Sequence, residues 1–212
     1  MVRRFDRFLD ELARVALSPR ACNQYARGVP ENAVRRCNLR LYLEQLDAIG
    51  PRLMLVGEAV SYRGGRLTGI PFVSESLMLC GAGGVLGERN GFRRATTTPR
   101  PSTEASATMV WATIRHIEPL PLLWNAFPFH PHADGNPFSN RLPTSGELAA
   151  GQRFIEWLLR LFPIERVAAI GNAAASSLEK LGVEHVKVRH PSQGGKKKFV
   201  DGMVRLSQLT TT

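Results

Sequence analysis

Near the carboxyl end of the chain, Arg189-His190-Pro191-Ser192-Gln193-Gly194-Gly195 runs directly into Lys196-Lys197-Lys198-Phe199. A histidine, a proline-fixed bend, small residues and three cations stand together. Such a loop can push an imidazole at a ligand while its glycines and lysines approach phosphate. Two more polar residues follow short apolar runs. Glu58 comes after Leu53-Met54-Leu55-Val56-Gly57, and Asn125 comes after the run from Leu120 to Trp124. A carboxylate can hold water, an amide offers a donor and an acceptor together, and an imidazole can donate to a developing negative charge.

These three residues need a frame that brings them together. Continuous apolar runs are typical of strands buried on both faces of a parallel sheet. Four are expected: 53–56, ending at Gly57; 120–124, ending at Asn125; 166–170, ending at Gly171; and 185–188, which delivers His190. Between them lie helical patterns over 106–116, 148–162, 172–181 and 195–206. Thr144 and Glu147 have capping-box spacing at the start of the second of these, and Gly182 is placed to close the third. Ahead of the first strand, Phe5, Phe8, Leu9, Leu12 and Val15 are spaced as one helix face. Leu39, Tyr42, Leu43, Leu46 and Ile49 form another face, closed by Gly50-Pro51. Residues 19–33 read as loop or a short helix, and 58–70, 81–103 and 126–143 as irregular loops. Alternating strands and helices predict an α/β protein, a three-layer α/β/α sandwich around a central, mainly parallel four-stranded sheet. One domain over 1–212 is expected, with the helices of 1–50 packed on its core. The carboxyl ends of parallel strands cluster in space, so Glu58, Asn125 and His190 should meet there.

Composition narrows the partner. The chain has 28 Lys and Arg against 18 Asp and Glu, a formal charge of +10. Such a field attracts polyanions, nucleic acid first. Cys22, Cys37 and Cys80 are far apart, an odd set without a C-x-x-C pair, which argues against a disulfide framework, zinc or an iron–sulfur cluster. A reduced, cytoplasmic setting, beside the nucleoid, is the expectation. No apolar run approaches the ~18 residues of a membrane span, and the first residues lack a signal peptide's apolar core. No Walker A sequence and no nucleophile elbow are present. Gly81-Ala82-Gly83-Gly84-Val85-Leu86-Gly87 is only superficially a dinucleotide loop, because an Arg-rich loop follows it instead of a helix. His130 and His132 lack companions for a metal site. No metal or cofactor is therefore expected, and a monomer is the simplest state.

Taken in order, Gly57-Glu58-Ala59-Val60-Ser61, Gly69-Ile70-Pro71-Phe72, Trp124-Asn125 and His190-Pro191-Ser192 resemble the uracil-DNA glycosylase superfamily over about residues 50–206. The resemblance implies an enzyme that flips a damaged base out of DNA and hydrolyses its N-glycosidic bond, leaving an abasic site. It implies that Phe72 stacks on the base, that Asn125 reads its edge, and that His190 stabilises the leaving anion. Ser192, Gln193, Gly194 and Gly195 would fill the gap left by the flipped base, and Lys196, Lys197 and Lys198 would neutralise phosphates of single- or double-stranded DNA.

One position departs from the pattern. Well-known members carry an aspartate two residues after the motif glycine, and here that residue is Ala59. Glu58 is the nearest carboxylate and is assigned to hold water. Ser61 stands where strict uracil enzymes carry a bulky aromatic that excludes thymine. Tyr62 is adjacent and could substitute, and with Ser61 it is counted among the base-binding residues. A small residue there predicts a wider range of deaminated bases. The missing acid keeps open an alternative, a catalytically weak module of the same fold that binds damaged DNA.

Overall fold

The computed structural model describes residues 4–208. In chain order the elements are α1 (Asp6–Arg14), β1 (Ala21–Cys22), α2 (Pro30–Ile49), β2 (Leu53–Ala59), α3 (Gly65–Thr68), α4 (Glu75–Cys80), α5 (Ala105–Ile114), β3 (Leu122–Phe127), β4 (His130–Pro131), α6 (Ser145–Leu161), β5 (Arg166–Ile170), α7 (Asn172–Lys180), β6 (Val186–Val188) and α8 (Lys196–Gln208). Four strands form one sheet in the order β3-β2-β5-β6, and every pair is parallel. Helices flank this sheet as the outer layers of an α/β/α sandwich. Every residue of β3 is buried, as are the first five of β2, which is why both read as unbroken apolar runs.

The packing follows from residue size. Gly151 lets α6 lie against β3, because a Cβ there would stand 1.8 Å from the Ala126 carbonyl oxygen. Phe8 of α1 meets Trp124 of β3 and Phe154 of α6, with ring centroids 5.5 and 5.8 Å apart. Tyr42 of α2 accepts the Leu123 backbone N–H at 3.0 Å, satisfying a donor on the edge strand. The capping box at Thr144 forms, with Glu147 N–H on the threonine hydroxyl at 3.2 Å and the Glu147 carboxylate on Thr144 N–H at 2.8 Å.

Several expected boundaries move. β2 runs through Gly57 to Ala59 and keeps parallel register with β3 at Gly57–Asn125 and Ala59–Phe127. Asn125 thus lies within β3, which starts at Leu122 and continues to Phe127. The second helix begins at Pro30 rather than near Leu39, with the proline in its first turn, where no N–H is needed. Residues 19–33 and 126–143 are not wholly irregular, because β1 and β4 pair antiparallel. α4 was not expected; Ser74 caps it and Gly81 closes it in the left-handed conformation. The Gly81–Gly87 stretch therefore follows a helix, not a strand, and has no dinucleotide-binding frame. The 81–103 insertion is irregular apart from two single 3-10 turns, and fully buried Glu75 ties it down. Its carboxylate accepts from Ser102 N–H at 2.9 Å and from the Thr96 hydroxyl at 2.5 Å, and lies beside Arg94. Among the described residues no helix is long and apolar enough to cross a membrane.

The order β3-β2-β5-β6 makes β2 central. The chain passes from β2 outward to β3, then crosses back over β2 to β5 and β6. A parallel sheet opens a crevice beyond the carboxyl ends of its strands where winding changes direction. Glu58, Asn125, Gly171 and His190 all stand at that end.

Candidate active site

The crevice holds a cavity of about 530 Å³ that includes Glu58, Ala59, Ser61, Phe72, Asn125, His190, Ser192 and Gln193 in its wall. Residues 65 to 135 positions apart in a parallel sheet meet here because each follows or ends a strand.

Gly57 makes room for two of them. A Cβ on Gly57 would lie 2.1 Å from the tip of the Phe72 ring and 2.7 Å from Asn125 Oδ1. The glycine that looked like a strand terminator is instead the space these two side chains fill. Phe72 is held in the left-handed region, at φ +56°, unusual for a residue with a side chain. That conformation costs on the order of 1–3 kcal/mol and persists only where surroundings enforce it. Trp111 Nε1–H donates to the Phe72 carbonyl at 2.9 Å, and Tyr25 O–H donates to the Gly69 carbonyl at 2.9 Å, so both ends of the turn are clamped. Gly69 itself is at φ +82°, and a Cβ there would meet the Arg35 carbonyl oxygen at 2.4 Å.

Asn125 is 2% exposed, and its Oδ1 has no hydrogen-bond partner in the protein. A buried acceptor left alone costs about 1–3 kcal/mol. Such an atom in a cavity wall is a ready acceptor for a ligand N–H.

His190 follows β6. Its Nδ1 accepts the Ser192 backbone N–H at 3.1 Å and lies 2.7 Å from the Ser192 hydroxyl. A backbone N–H can only donate, so Nδ1 carries the lone pair and, in the neutral ring, Nε2 carries the hydrogen. Burial, with Arg189 nearby, pushes the imidazole below its usual range and favours that neutral ring. The loop turns tightly through Gln193 at φ +51° and Gly194 at φ +73°. Gly195 is required, since a Cβ there would be 2.0 Å from the His190 carbonyl oxygen.

Two carboxyls border the cavity. Burial alone raises Glu58 above the usual range, with no hydrogen bond or cation opposing it. Glu104, just ahead of α5, is raised by burial and held back by a hydrogen bond from Ser61. Ser61 Oγ accepts Gly64 N–H at 3.2 Å, which leaves its own hydrogen for Glu104. Gly64 is what admits this carboxyl, as a Cβ there would sit 1.8 Å from Glu104 Oε2. Nothing in the sequence marked Glu104, a residue in a Pro- and Thr-rich loop that reaches the cavity only through the fold. Asn140, Arg141 and Leu142 also line it without having been anticipated.

The sequence expectations divide at this cavity. Tyr62 is not in its wall: its backbone N–H donates to Asn140 Oδ1 at 3.0 Å, and its ring lies under the Arg63 guanidinium. A tyrosine gate beside Ser61 is thus not formed. Gly194, Gly195 and the three lysines also lie outside the wall, and the lysines are exposed on the first turn of α8. Cations are disfavoured at a helix N-terminus by the helix dipole, so this placement leaves their charge free for an external anion. His130 is buried with both ring nitrogens on carbonyl oxygens, Val60 at 2.9 Å and Pro137 at 3.2 Å, a bracing role. Among the described residues no group of three metal-ligating side chains occurs.

A family model described as the uracil DNA glycosylase superfamily matches residues 43–202, a span that contains every strand of the main sheet and the whole cavity wall. The chain belongs to this superfamily. Among solved structures it is similar to the crystal structure of wild-type Pedobacter heparinus SMUG2, with a TM-score of 0.65 and 15% identity over 98% of each chain. At that identity the likeness concerns the fold. A comparison with curated proteins finds no match. The superfamily's chain path explains why short motifs far apart in sequence meet at one end of the sheet.

Proposed function

We propose that this superfamily member is a monofunctional DNA glycosylase that removes uracil, and other deaminated bases that fit, from DNA. The observation that carries the reading is the buried, unpartnered Asn125 Oδ1 facing a cavity bordered by Phe72 and His190. An extruded uracil on Phe72 would give its N3–H to Asn125 Oδ1 and accept from Asn125 Nδ2 at O4. As the C1′–N1 bond breaks, its electron pair leaves on the base and charge spreads to O2. His190 Nε2–H donates there, as in an oxyanion hole. Water bonds to C1′ and passes its proton to Glu58, whose carboxylate no protein group occupies. Exposed Lys196, Lys197 and Lys198 are fully solvated, which favours hydrolysis over an amine nucleophile.

The test is release of uracil from a single-uracil oligonucleotide, read as alkali-labile cleavage on a gel. No cleavage with any deaminated base would overturn the reading. Ala59 supports a second one, a module that binds damaged DNA with little catalysis, because no acid projects from that position. Tight binding to uracil-containing DNA without base release would decide for it.

A further inference from the structure

Six large hydrophobic side chains are exposed among the described residues, and two stand apart: Leu142 at 71% and Phe138 at 69%, against 38–48% for the rest. Single exposed leucines are ordinary, but this one has a particular place. Leu142 borders the base cavity and also a neighbouring trough of about 630 Å³, lined by Lys187, Arg189 and the first turn of α7. Gln193 borders both as well, so the two side chains flank the same ridge.

The backbone under Leu142 is fixed. Arg141 Nη1–H donates to the Leu142 carbonyl at 2.9 Å, while Arg141 also bonds the His132 carbonyl at 3.0 Å, the Arg20 carbonyl at 2.8 Å and Glu147 at 2.6 Å. Pro143 and the α6 capping box follow directly. A side chain on such a support cannot fold back out of water. The histidine loop opposite offers only Ser192, Gln193, Gly194 and Gly195, none of them apolar. Proteins that open a duplex insert an apolar side chain such as Phe, Leu, Ile, Met or Pro between base steps.

Resting on the glycosylase reading, we propose that Leu142, not the histidine loop, is the apolar wedge that enters the DNA stack where the target base leaves it. The partner is duplex DNA, with Gln193 reaching in from the other side of the ridge and Lys187 and Arg189 beside the flanking phosphates. Leu142 is a positioning residue and touches no reacting atom.

The test compares wild type, Leu142→Ala, Leu142→Met and Leu142→Lys on one uracil sequence, single-stranded and as a duplex. The ratio of duplex to single-strand kcat/KM should fall at least tenfold in Leu142→Ala and Leu142→Lys and recover in Leu142→Met. An unchanged ratio in Leu142→Ala, or a wild-type ratio in Leu142→Lys, overturns the wedge. A second readout is independent of cleavage. 2-Aminopurine beside the uracil should brighten when wild type binds the duplex, and that rise should be lost in Leu142→Ala. If wild type releases no uracil from either substrate the glycosylase reading fails, and the fluorescence alone decides the wedge: a rise that persists in Leu142→Ala, or no rise with wild type, overturns it.

Discussion

Asn125→Ala separates a binding residue from a structural one. In most folded proteins, removing a buried asparagine destabilises by about 1–3 kcal/mol, because its partners are left unsatisfied. Asn125 is different, since its Oδ1 has no protein partner to abandon. The variant also leaves no sealed void, because the deleted atoms border a cavity of about 530 Å³. Stability to urea should therefore stay level or rise by up to ~1 kcal/mol, the free energy recovered when an orphaned acceptor is removed. Activity should behave in the opposite way. Loss of one preorganised donor–acceptor group costs about 2–4 kcal/mol of transition-state stabilisation, which is roughly 30- to 1,000-fold in kcat/KM. Uracil release from an oligonucleotide and equilibrium urea unfolding measure the two quantities on the same protein. A variant that loses 2 kcal/mol or more of stability and keeps near-wild-type kcat/KM would refute the assignment of Asn125 to base recognition.

His190→Ala should lose a similar 2–4 kcal/mol in the chemical step, with duplex affinity within about threefold of wild type, as seen in single-turnover and binding assays; activity near wild type rejects its role. Gly57→Ala should nearly abolish activity, because the new methyl meets the Phe72 ring and the Asn125 amide at 2.1 and 2.7 Å and Phe72 is clamped behind; full activity would mean the cavity is not the base site. For pH, Glu58 is raised by burial, so the folded state keeps its proton into a range where the unfolded chain has lost it. Ionised Glu58 thus costs stability above its folded pKa, and kcat/KM should climb as pH rises through that value; Glu58→Gln should remove this acid limb, lower activity, and stabilise at neutral but not acid pH. Replacing Lys196, Lys197 and Lys198 by Ala should make the log–log salt dependence of DNA affinity shallower by up to about 2.7, the sum for three phosphate contacts; an unchanged slope places the lysines off the DNA.

Much of the fold was legible because its signals are local. β5 and the cap of α6 read directly, as an apolar run ending in glycine and as Thr144 with Glu147 three residues on. Gly57 misled for a physical reason. A glycine after an apolar run normally ends a strand, but this one exists to admit Phe72 and Asn125, a tertiary demand invisible to periodicity. β1 and β4 are two-residue strands with no pattern to carry them. The site was legible where each residue follows a strand of the parallel sheet, as Glu58, Asn125 and His190 do. It was not legible where a loop folds over that end from elsewhere. Glu104 depends on Gly64, and Leu142 depends on Arg141 bonding three separate segments.

The missing acid at Ala59 is a matter of strand phase. β2 continues through Ala59, so Gly57 and Ala59 share one face and Glu58 projects from the other. On the face of Gly57 stand Phe72 and Asn125, the groups proposed to hold the base. An acid at position 59 would enter the cavity beside them, and no neighbouring residue on β2 can take its place on that face. Glu58 instead reaches the ridge between the base cavity and the basic trough, since both include it in their walls. That is the side from which a sugar and its phosphates would approach, and therefore a place from which a carboxylate can still meet C1′. Glu104 closes the opposite wall, already engaged by Ser61. The two carboxyls are thus not equivalent. The one without a protein partner lies toward the backbone of the nucleic acid, and the one with a partner lies toward the base. This division assigns water to Glu58 and leaves Glu104 with Ser61 to shape which bases enter.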